Sequence, residues 1–394
     1  MYDARAAEEF GSVIAEQPHG RTVAAPGPNF CRARASDNPV GTRTDSQNPA
    51  WIAVISESAF TVGDHGVHTA FVEQVRGLQA RGVRVRVNDP RSCRGAALTI
   101  THTPGPFARL CLGLAGSRGL AVAHVTPDTL ADSLVLERRW RPFSRWYLGR
   151  FYRSAARVIA VSPTVRDELI GLGVRPGAIH LIPNGIDVDR IRQAGSSTRV
   201  AAMRQAQDGR PLVIGVGQVQ PRKGIERFVA VARDMPSCDF VWIGGRPFGP
   251  LTAGVVAMSQ VPANLRFAGR VSDAELHAYY HAASVFLFPS KQENFGQVVV
   301  EAAAAGLPLV LSDLPVFRQN FSEGAVFART RRQYREAVVS IIEDEELRKS
   351  RRTAALELAD SFHIRHSVDA FLQLARQPAP VSPPFPSPEP RRTS

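Results

Sequence analysis

The sequence has few cysteines and no long apolar segment. Its 4 cysteines are scattered, so their spacing provides neither a disulfide framework nor a Cys-x-x-Cys metal pair. No apolar run approaches the roughly 20 residues that a helix needs to cross a bilayer. The first residues lack the basic and apolar regions of a secretory signal. We therefore expect a cytoplasmic protein that holds no structural metal.

Lysine is also scarce. It occurs only as Lys223, Lys291 and Lys349, so arginine supplies almost all of the positive charge. The formal net charge is nevertheless +12. Such an excess favours nucleic acid, an anionic membrane or a phosphorylated ligand as a partner. Residues 137–157 contain seven arginines and one glutamate and so account for +6 of it, which concentrates the charge in one short segment.

The pattern of apolar residues predicts an α/β protein with two doubly wound domains. Residues 1–48 and 377–394 are rich in proline and small residues and have little apolar periodicity, so we expect them to be disordered. Between them, short Val, Ile and Leu runs alternate with helical patterns, which is typical of parallel sheets. We place one domain at residues 49–186, a polar linker at 187–208 and a second domain at 209–361.

Two glutamates, Glu293 and Glu301, lie eight positions apart across a predicted strand, loop and helix. Val285–Phe288 is the expected strand, and Gly296 begins an alanine-rich helix. Glu293 then lies at the carboxyl end of the strand, and Glu301 can point into the same crevice from the second helical turn. A carboxylate there can accept both hydroxyls of a ribose, and the helix N-terminus attracts phosphate. Alone, such a pair is more often a helix cap and a solvated charge.

A glycine turn follows the predicted strand Leu212–Val216, and Arg222 and Lys223 come after it at the start of a helix. A dinucleotide-binding Gly-x-Gly-x-x-Gly motif needs its last glycine where this chain has Gln220, so a Rossmann dehydrogenase is not expected. Arg222 and Lys223 instead fit a clamp on a diphosphate leaving group. The alternative is a solvated turn.

These motifs resemble those of retaining, nucleotide-sugar-dependent glycosyltransferases of family 4. Residues 293–301 resemble the family's E-x7-E signature, and residues 216–224 resemble its phosphate-binding loop. Residues 182–187 resemble its interdomain segment, and residues 64–67 resemble its first glycine loop. The resemblance covers roughly residues 50–376. It implies the GT-B fold, in which two Rossmann-like domains, one on the acceptor side and one for the donor, face each other across a cleft.

The resemblance also implies roles for individual residues. Glu293 would contact the hydroxyls of the transferred sugar, which the backbone of the next three residues would frame, and Glu301 would hold the ribose. Gly66 would let the first-domain loop approach the donor phosphate closely. The implied donor-binding residues are Gly66, Arg222, Lys223, Asn294, Phe295, Gly296, Gln297 and Glu301. Two of the three lysines, Lys223 and Lys291, thus fall in the proposed donor site.

The implied catalytic residues are His124, Glu293 and Lys223. His124 matches a family histidine on the acceptor side of the cleft, where it could bind the reacting sugar or help to deprotonate the acceptor. The alternative is a satisfied core histidine, and His65, His68 and His102 are weaker candidates.

The sequence departs from the family at Gln218, where an arginine is frequent, so Lys223 becomes the surer phosphate ligand and Arg222 a substitute. In retaining members the favoured route is a front-face displacement in which the leaving phosphate takes the acceptor proton. Glu293 is therefore not assumed to be a nucleophile. Residues 187–189 superficially resemble an Asp-x-Asp metal motif but belong to the family's linker, so no metal cofactor is expected.

The final predicted helix, residues 362–376, would pack back on the first domain as in family members. Within the family, residues 101–106 and 213–320 resemble bacterial enzymes that glucosylate a glucosyl-diacylglycerol lipid. The resemblance therefore implies a UDP-sugar donor and a lipid-linked acceptor. The alternatives are a GDP-sugar donor, a soluble acceptor, and a nucleotide-sugar epimerase of the same architecture.

The arginine-rich segment, residues 137–157, carries a second signal, because aromatic residues alternate with its arginines. Such a segment can lie in a membrane interface with its aromatics inserted and its guanidinium groups on anionic headgroups, on the inner face of the cell membrane. The alternative is a helix whose aromatics pack on the first sheet. Nucleic acid is not the expected partner. The arginines proposed to contact headgroups are Arg139, Arg141, Arg145 and Arg150.

Overall fold

The computed structural model describes residues 51–59, 66–133, 141–245 and 261–377. The predicted disordered segments, residues 1–48 and 377–394, lie outside these ranges except for Gln377. Arg139 and His65 also lie outside them. In the described ranges, the structure contains no helix with the length and apolarity that crossing a bilayer requires.

The first sheet is built from strands β1 (Ile52–Ile55), β2 (Val85–Val87), β3 (Leu98–Thr101), β4 (Gly119–Ala123), β5 (Arg157–Ala160) and β6 (Ile179–Leu181). Its helices are α1 (Gly66–Ala80), α2 (Pro106–Ala115), α3 (Pro127–Ser133), α4 (Arg141–Arg153) and α5 (Pro163–Gly171). The strand order is β2-β1-β3-β4-β5-β6, and every pairing is parallel.

The second sheet follows α6 (Val188–Gln193) and α7 (Thr198–Ala206), so the predicted linker is mostly helical. Its strands are β7 (Leu212–Val216), β8 (Asp239–Ile243), β9 (Leu265–Gly269), β10 (Val285–Phe288), β11 (Leu309–Ser312) and β12 (Ala325–Ala328). The helices after β7 are α8 (Ile225–Arg233), α9 (Asp273–Ala282), α10 (Gln297–Ala304), α11 (Pro315–Phe321), α12 (Arg331–Glu343), α13 (Glu345–Ser361) and α14 (Ile364–Arg376). The order is β12-β11-β10-β7-β8-β9, again with parallel pairings.

The central strands are buried on both faces. Every residue of β1, β3, β4, β5, β7, β10 and β11 is buried, whereas the edge strands β2 and β6 are half-buried or exposed. Helices cover both faces of a parallel sheet, which explains why most of the central strands are apolar at successive positions; β3, with the sequence LTIT, is an exception. The predicted class, two doubly wound α/β domains, is confirmed.

The order of the strands in the second sheet reverses between β7 and β10. Counted from its own first strand, the order is 3-2-1-4-5-6, so α8 and α10, which follow β7 and β10, lie on opposite faces of the sheet. Open α/β sheets bind ligands in the crevice at this point, outside the carboxyl ends of the strands. Residues 217–224 and 289–296 form the two loops.

The polypeptide passes between the two domains twice, and the two connecting segments contact each other. Ile186, which precedes α6, forms a parallel bridge with His363, which precedes α14. Helix α14 then packs on α1, where Val368 lies close to Gly77. At its far end Arg157 of β5 donates to Leu374 O at 3.2 Å. The final helix therefore belongs to the core of the first domain.

Replacing Phe371 by alanine should destabilise the first domain, because this α14 side chain is almost fully buried. Removing a buried phenylalanine typically costs about 3–5 kcal/mol. Gln373, which is exposed on the same helix, is the matched control, and Gln373→Ala should leave stability unchanged. Urea unfolding measures both, and equal shifts for the two variants would show that α14 adds little to the core.

Candidate active site

The loops after β7 and β10 are joined at the point where the second sheet reverses. The short helical turn Pro221–Lys223 ends at Gly224, whose φ of +72° lies in the left-handed region. A Cβ on Gly224 would lie 2.0 Å from Pro289 O, so only glycine allows this approach. Lys291 N donates to Arg222 O at 2.7 Å and fixes the contact. The result places Lys223 beside Glu293.

Lys223, Arg222 and Glu293 form a largely buried ion cluster, with side chains 12%, 20% and 8% exposed. Lys223 Nζ donates to Glu293 Oε1 at 2.6 Å, and Arg222 Nη1 lies 3.6 Å from the same oxygen. Ser290 Oγ, fully buried, donates to it at 2.9 Å. The cluster therefore contains two cations and one anion, and its surplus positive charge suits an anionic ligand.

The ionisation of both members of the central pair is shifted. Burial opposes ionisation of Glu293, but the charges of Lys223 and Arg222 outweigh it and hold the pKa of Glu293 below its usual value. Burial lowers the pKa of Lys223 to about 8, and Arg222 adds to this effect while Glu293 opposes it. Lys223 therefore changes its charge just above neutral pH.

A chain of polar side chains holds Arg222 in place. Gln220 Nε2 donates to Gln218 Oε1 at 2.8 Å, and Arg222 Nε donates to Gln220 Oε1 at 3.0 Å. Gln218, where the family often has an arginine, thus lies at the far end of the chain that orients Arg222. This contact fits the interpretation that Arg222 substitutes for the missing arginine.

Glu301 lies in α10, where it contacts different residues from Glu293. Tyr280 OH donates to Glu301 Oε2 at 2.9 Å. Burial raises the pKa of Glu301 to about 7, with a contribution from the nearby Glu73 and Asp273 carboxylates. Since Glu73 belongs to α1 of the first domain, Glu301 lies where the two domains meet.

The segment before α10 gives Gly296 and Phe295 different roles. Gly296 caps α10 with a φ of +99°, and a Cβ there would lie 2.8 Å from the Phe317 ring. The Phe295 side chain packs edge-on against Phe321 and Phe362, with ring centroids 5.9 and 5.5 Å apart. Phe295 is therefore a core residue, and only its backbone remains available to a ligand.

Gln297, the first residue of α10, has an unusual side chain. It is only 7% exposed, and neither Nε2 nor Oε1 has a hydrogen-bond partner among the described residues. A buried amide without partners is costly, and a ligand that forms hydrogen bonds with it would remove this cost. The helix N-terminus beside it favours negative charge.

Asn294 joins the second domain to the first. Its Nδ2 donates to His124 O at 2.8 Å and to Thr129 Oγ1 at 3.0 Å, and Thr126 Oγ1 donates to its Oδ1 at 3.3 Å. Its backbone oxygen accepts from Ser162 Oγ at 2.7 Å. The carbonyl predicted to frame the sugar is thus engaged by the first domain, and the Asn294 side chain connects the two walls of the cleft.

His124 lies at the end of β4 and is 9% exposed. Its Nε2 is 2.9 Å from His102 Nδ1, and His102 Nε2 is 2.6 Å from Gln74 Oε1. Burial lowers the pKa of His124 to about 4, so the ring is neutral at physiological pH. The strand therefore presents a neutral imidazole at the edge from which Asn294 crosses to the second domain.

Two family models match the chain. The model described as Glycosyl transferases group 1 matches residues 199–357, and the model described as Glycosyltransferase Family 4 matches residues 91–190. The first range includes the ion cluster and Glu301, and the second includes His124. The chain is a glycosyltransferase with family 4 and group 1 domains.

The glycosyltransferase is 26% identical over 268 residues to an alpha-galactosylglucosyldiacylglycerol synthase of Streptococcus pneumoniae, covering 66% of this chain and 72% of the relative. It is 27% identical over 271 residues to a processive diacylglycerol alpha-glucosyltransferase of Acholeplasma laidlawii, covering 68% and 80%. Its fold is similar to that of Anabaena HepE in complex with UDP and glucose, with a TM-score of 0.66 and 17% identity over 82% of this chain and 98% of HepE. The predicted GT-B fold is thereby confirmed.

Gly66 and the Asp-x-Asp residues of the glycosyltransferase were also singled out in the sequence. Gly66 begins α1, is exposed, and a Cβ there would meet no protein atom, so any need for glycine would come from a ligand. Asp187 Oδ1 caps α6 by accepting from Arg190 N, and Asp189 contacts His363 at 3.1 Å. In the ranges that the structure covers, no group of three His, Cys, Asp or Glu residues is arranged to hold a metal.

Lys291 was predicted to fall in the donor site, but its side chain is engaged elsewhere in this structure. The Lys291 ammonium pairs with Glu226 at 2.5 Å on the protein surface, and both side chains are more than two-fifths exposed. Only the backbone of Lys291 supports the ion cluster.

The arginine-rich segment has features of both alternatives, a helix packed on the first sheet and a helix at a membrane interface. On one face of α4, Phe151 and Tyr152 are buried in the core of the first domain, so the prediction that the aromatics insert into a membrane is wrong for them. On the other face Phe143 is 53% and Trp146 is 59% exposed. Arg145 donates to Gly171 O at 3.2 Å and remains exposed. Among the described residues of this segment, only the outer face of α4 therefore leaves aromatic side chains exposed.

Four residues of the site were missed by the sequence analysis. Ser290 and Tyr280 contact the two signature glutamates, and Glu73 and Gln74 reach the linker and the histidine pair from α1. Gln74 had a readable signal, because it lies on the inward face of α1 where an apolar residue is expected. The other contacts join distant parts of the chain and leave no local pattern.

We expect the affinity of the enzyme for UDP to be highest between pH about 7 and about 8. Glu301 has a pKa of about 7 and is charged only above that pH, where its carboxylate would accept hydrogen bonds from both ribose hydroxyls. Lys223 has a pKa of about 8 and keeps its charge only below that pH. Loss of one charged hydrogen bond, worth about 1.5–3 kcal/mol, should lower affinity about tenfold or more on either side.

Calorimetry across pH 6–10 measures this profile. Lys223→Arg, which stays charged at every pH used, should remove the decline above pH 8. Glu301→Gln should bind more weakly but without the decline below pH 7. A flat wild-type profile would mean that neither group contacts the nucleotide.

Proposed function

We propose that the enzyme is a retaining glycosyltransferase that moves a hexose from a UDP-sugar to a hydroxyl of a membrane glycolipid, without a metal cofactor. The observation that carries the proposal is the buried cluster in which Lys223 and Arg222 outnumber the single carboxylate of Glu293. Two cations at the reversal point of a doubly wound sheet suit a diphosphate.

The donor occupies the second domain in this proposal. Its diphosphate lies between the Lys223 and Arg222 side chains and the N-terminus of α10, where Gln297 supplies the amide that lacks a partner. Glu301 accepts the ribose hydroxyls, and the Tyr280 hydroxyl fixes the carboxylate at 2.9 Å. Gly66 begins the first-domain helix that approaches the phosphate.

The transfer step needs little beyond positioning and charge neutralisation. The bond from the anomeric carbon to the diphosphate oxygen breaks, and the acceptor oxygen forms a bond to the same face of that carbon. The acceptor proton passes to the departing diphosphate oxygen. Lys223 and Arg222 stabilise the charge that develops on the diphosphate. Glu293, already paired with both cations, positions the sugar hydroxyls and is not a nucleophile.

Two observations favour a lipid-linked acceptor. Relatives in Streptococcus pneumoniae and Acholeplasma laidlawii are named for diacylglycerol glycolipids. In this chain, the outer face of α4 exposes Phe143 and Trp146 beside Arg145 and Arg150, as expected for a helix that lies on an anionic membrane. The acceptor would then enter the cleft from the membrane, on the inner face of the cell membrane.

A transfer assay tests the donor and acceptor together. Purified enzyme is incubated with single nucleotide sugars against a lipid extract or a pool of soluble sugars, and products are identified by mass spectrometry. We expect a hexosylated glycolipid from a UDP-sugar, with equal yield after EDTA treatment. Lys223→Ala should lower turnover about a hundredfold or more. The exposed Lys349→Ala is the control and should retain full activity.

Other outcomes would identify the rivals. Glycosylation of soluble acceptors in the absence of lipid would replace the glycolipid by a soluble acceptor. Conversion of the donor into an isomeric nucleotide sugar without any acceptor would indicate an epimerase. Dependence on manganese or magnesium would contradict the role given to Lys223 and Arg222.

The exposed face of α4 should bind anionic vesicles. Each basic residue near such a surface contributes about 1 kcal/mol, so replacing Arg141, Arg145 and Arg150 by glutamine should weaken binding more than a hundredfold. Nucleotide affinity should not change. Co-sedimentation with phosphatidylglycerol vesicles at low salt measures the loss, and high salt should reproduce it.

The control for this test removes the same charge elsewhere. Arg199, Arg332 and Arg335 are exposed on the linker and the second domain, and replacing them by glutamine should leave vesicle binding intact. Equal losses in both triple variants would indicate a general charge effect. A wild-type protein that stays in the supernatant would remove the membrane from the proposal.

A further inference from the structure

A buried chain of hydrogen bonds links α1 to His124. Gln74 Oε1 lies 2.6 Å from His102 Nε2, and His102 Nδ1 lies 2.9 Å from His124 Nε2. All three side chains are buried, and the two imidazole rings stack with centroids 5.1 Å apart and planes within 14°. The Phe71 ring packs edge-on against His102 at 5.6 Å. These packing contacts hold the three hydrogen-bonded side chains in one geometry.

The Gln74 amide determines which nitrogen of each imidazole ring carries the proton. An amide oxygen only accepts hydrogen bonds, so His102 Nε2 carries a proton. Burial holds the pKa of His102 well below its usual value and that of His124 at about 4, so both rings are neutral and carry one proton each. His102 Nδ1 is then bare and accepts from His124 Nε2–H. It follows that His124 Nδ1 is bare as well.

The remaining nitrogen of His124 is the one that a ligand can use. His124 Nδ1 has no hydrogen-bond partner among the described residues, and the residue keeps 9% of its surface exposed. The backbone oxygen of His124 accepts from Asn294 Nδ2 at 2.8 Å, so the second domain holds the main chain while the first domain holds the ring. Such a ring has little freedom to turn.

We propose that Gln74 and His102 are positioning residues that hold His124 in the tautomer with a bare Nδ1, so that His124 accepts a hydrogen bond from a substrate hydroxyl. In this tautomer Nδ1 cannot donate to a phosphate or carbonyl oxygen. The identity of that hydroxyl as part of a sugar rests on the proposed glycosyl transfer, but the tautomer does not. Histidine roles are commonly set in this way, by the bond that the other nitrogen makes.

The tautomer can be measured without any substrate. The full chain is labelled with 15N-histidine, and the His124 signals are assigned by their loss in a His124→Ala variant. The imidazole 15N shifts should show a bare Nδ1 and a protonated Nε2. In Gln74→Leu the acceptor is gone and both tautomers should appear, whereas Gln74→Glu should restore the single tautomer. A wild-type His124 with its proton on Nδ1, or an unchanged Gln74→Leu spectrum, overturns the proposal.

Kinetics tests whether the tautomer matters for turnover. Gln74→Leu and His102→Phe should lower kcat by about tenfold to a hundredfold while KM for the donor stays within about twofold. His102→Asn, whose Oδ1 can accept from His124 Nε2–H, should retain most of the rate. Gln79→Leu changes an exposed glutamine of the same helix and should behave as wild type.

The outcomes separate this inference from the proposed function. If Gln74→Leu and His102→Phe lose thermal stability but keep kcat, or if kcat and KM change alike, these hydrogen bonds serve only core packing. The positioning role is then overturned. If no nucleotide sugar is turned over by the wild type, the proposed function fails while the 15N result still decides the tautomer.

Discussion

The site depends on the burial of Lys223 beside Glu293. A lysine ammonium placed in the interior is costly, and here the cost is offset by a carboxylate 2.6 Å away that a fully buried serine also contacts. The contact exists because Gly224 lets the turn after β7 approach the end of β10 to a distance that no Cβ would allow. The reversal of strand order opens the crevice above it, so the sheet topology and the ion pair specify the same place.

Helix α1 organises the other side of the cleft. Two neighbouring residues on it face different partners: Glu73 accepts from Asp187 N of the linker at 3.0 Å, and Gln74 bonds to His102. Burial raises the pKa of Glu73, although the charge of Arg190, which contacts it, opposes that shift. The same turn of the helix therefore contacts both the linker between the domains and the buried pair of His102 and His124.

Much of the arginine that gives the chain its net charge has a structural role. Arg153 donates to Leu172 O at 2.8 Å and Arg204 to His281 O at 2.7 Å, so these guanidinium groups satisfy carbonyls at helix ends. Arg157 reaches from β5 to α14 in the same way. Arg153 and Arg204 remain exposed and still add to the basic surface, so the outer face of α4 is distinguished by the exposed Phe143 and Trp146 beside its arginines rather than by charge alone.

The sequence by itself determined the fold class and the loops that carry the proposed donor site. Continuous apolar strands between amphipathic helices, and a glycine turn followed by Arg222 and Lys223, are local patterns that follow from backbone sterics and burial. What only the tertiary structure decided are the contacts between distant segments: Glu293 with Lys223, Glu301 with Tyr280, and His124 with His102 and Gln74. It also separated the buried face of α4 from the exposed one. These depend on how far each backbone can approach another and on which polar groups burial forces to pair, and neither is written in a run of neighbouring residues.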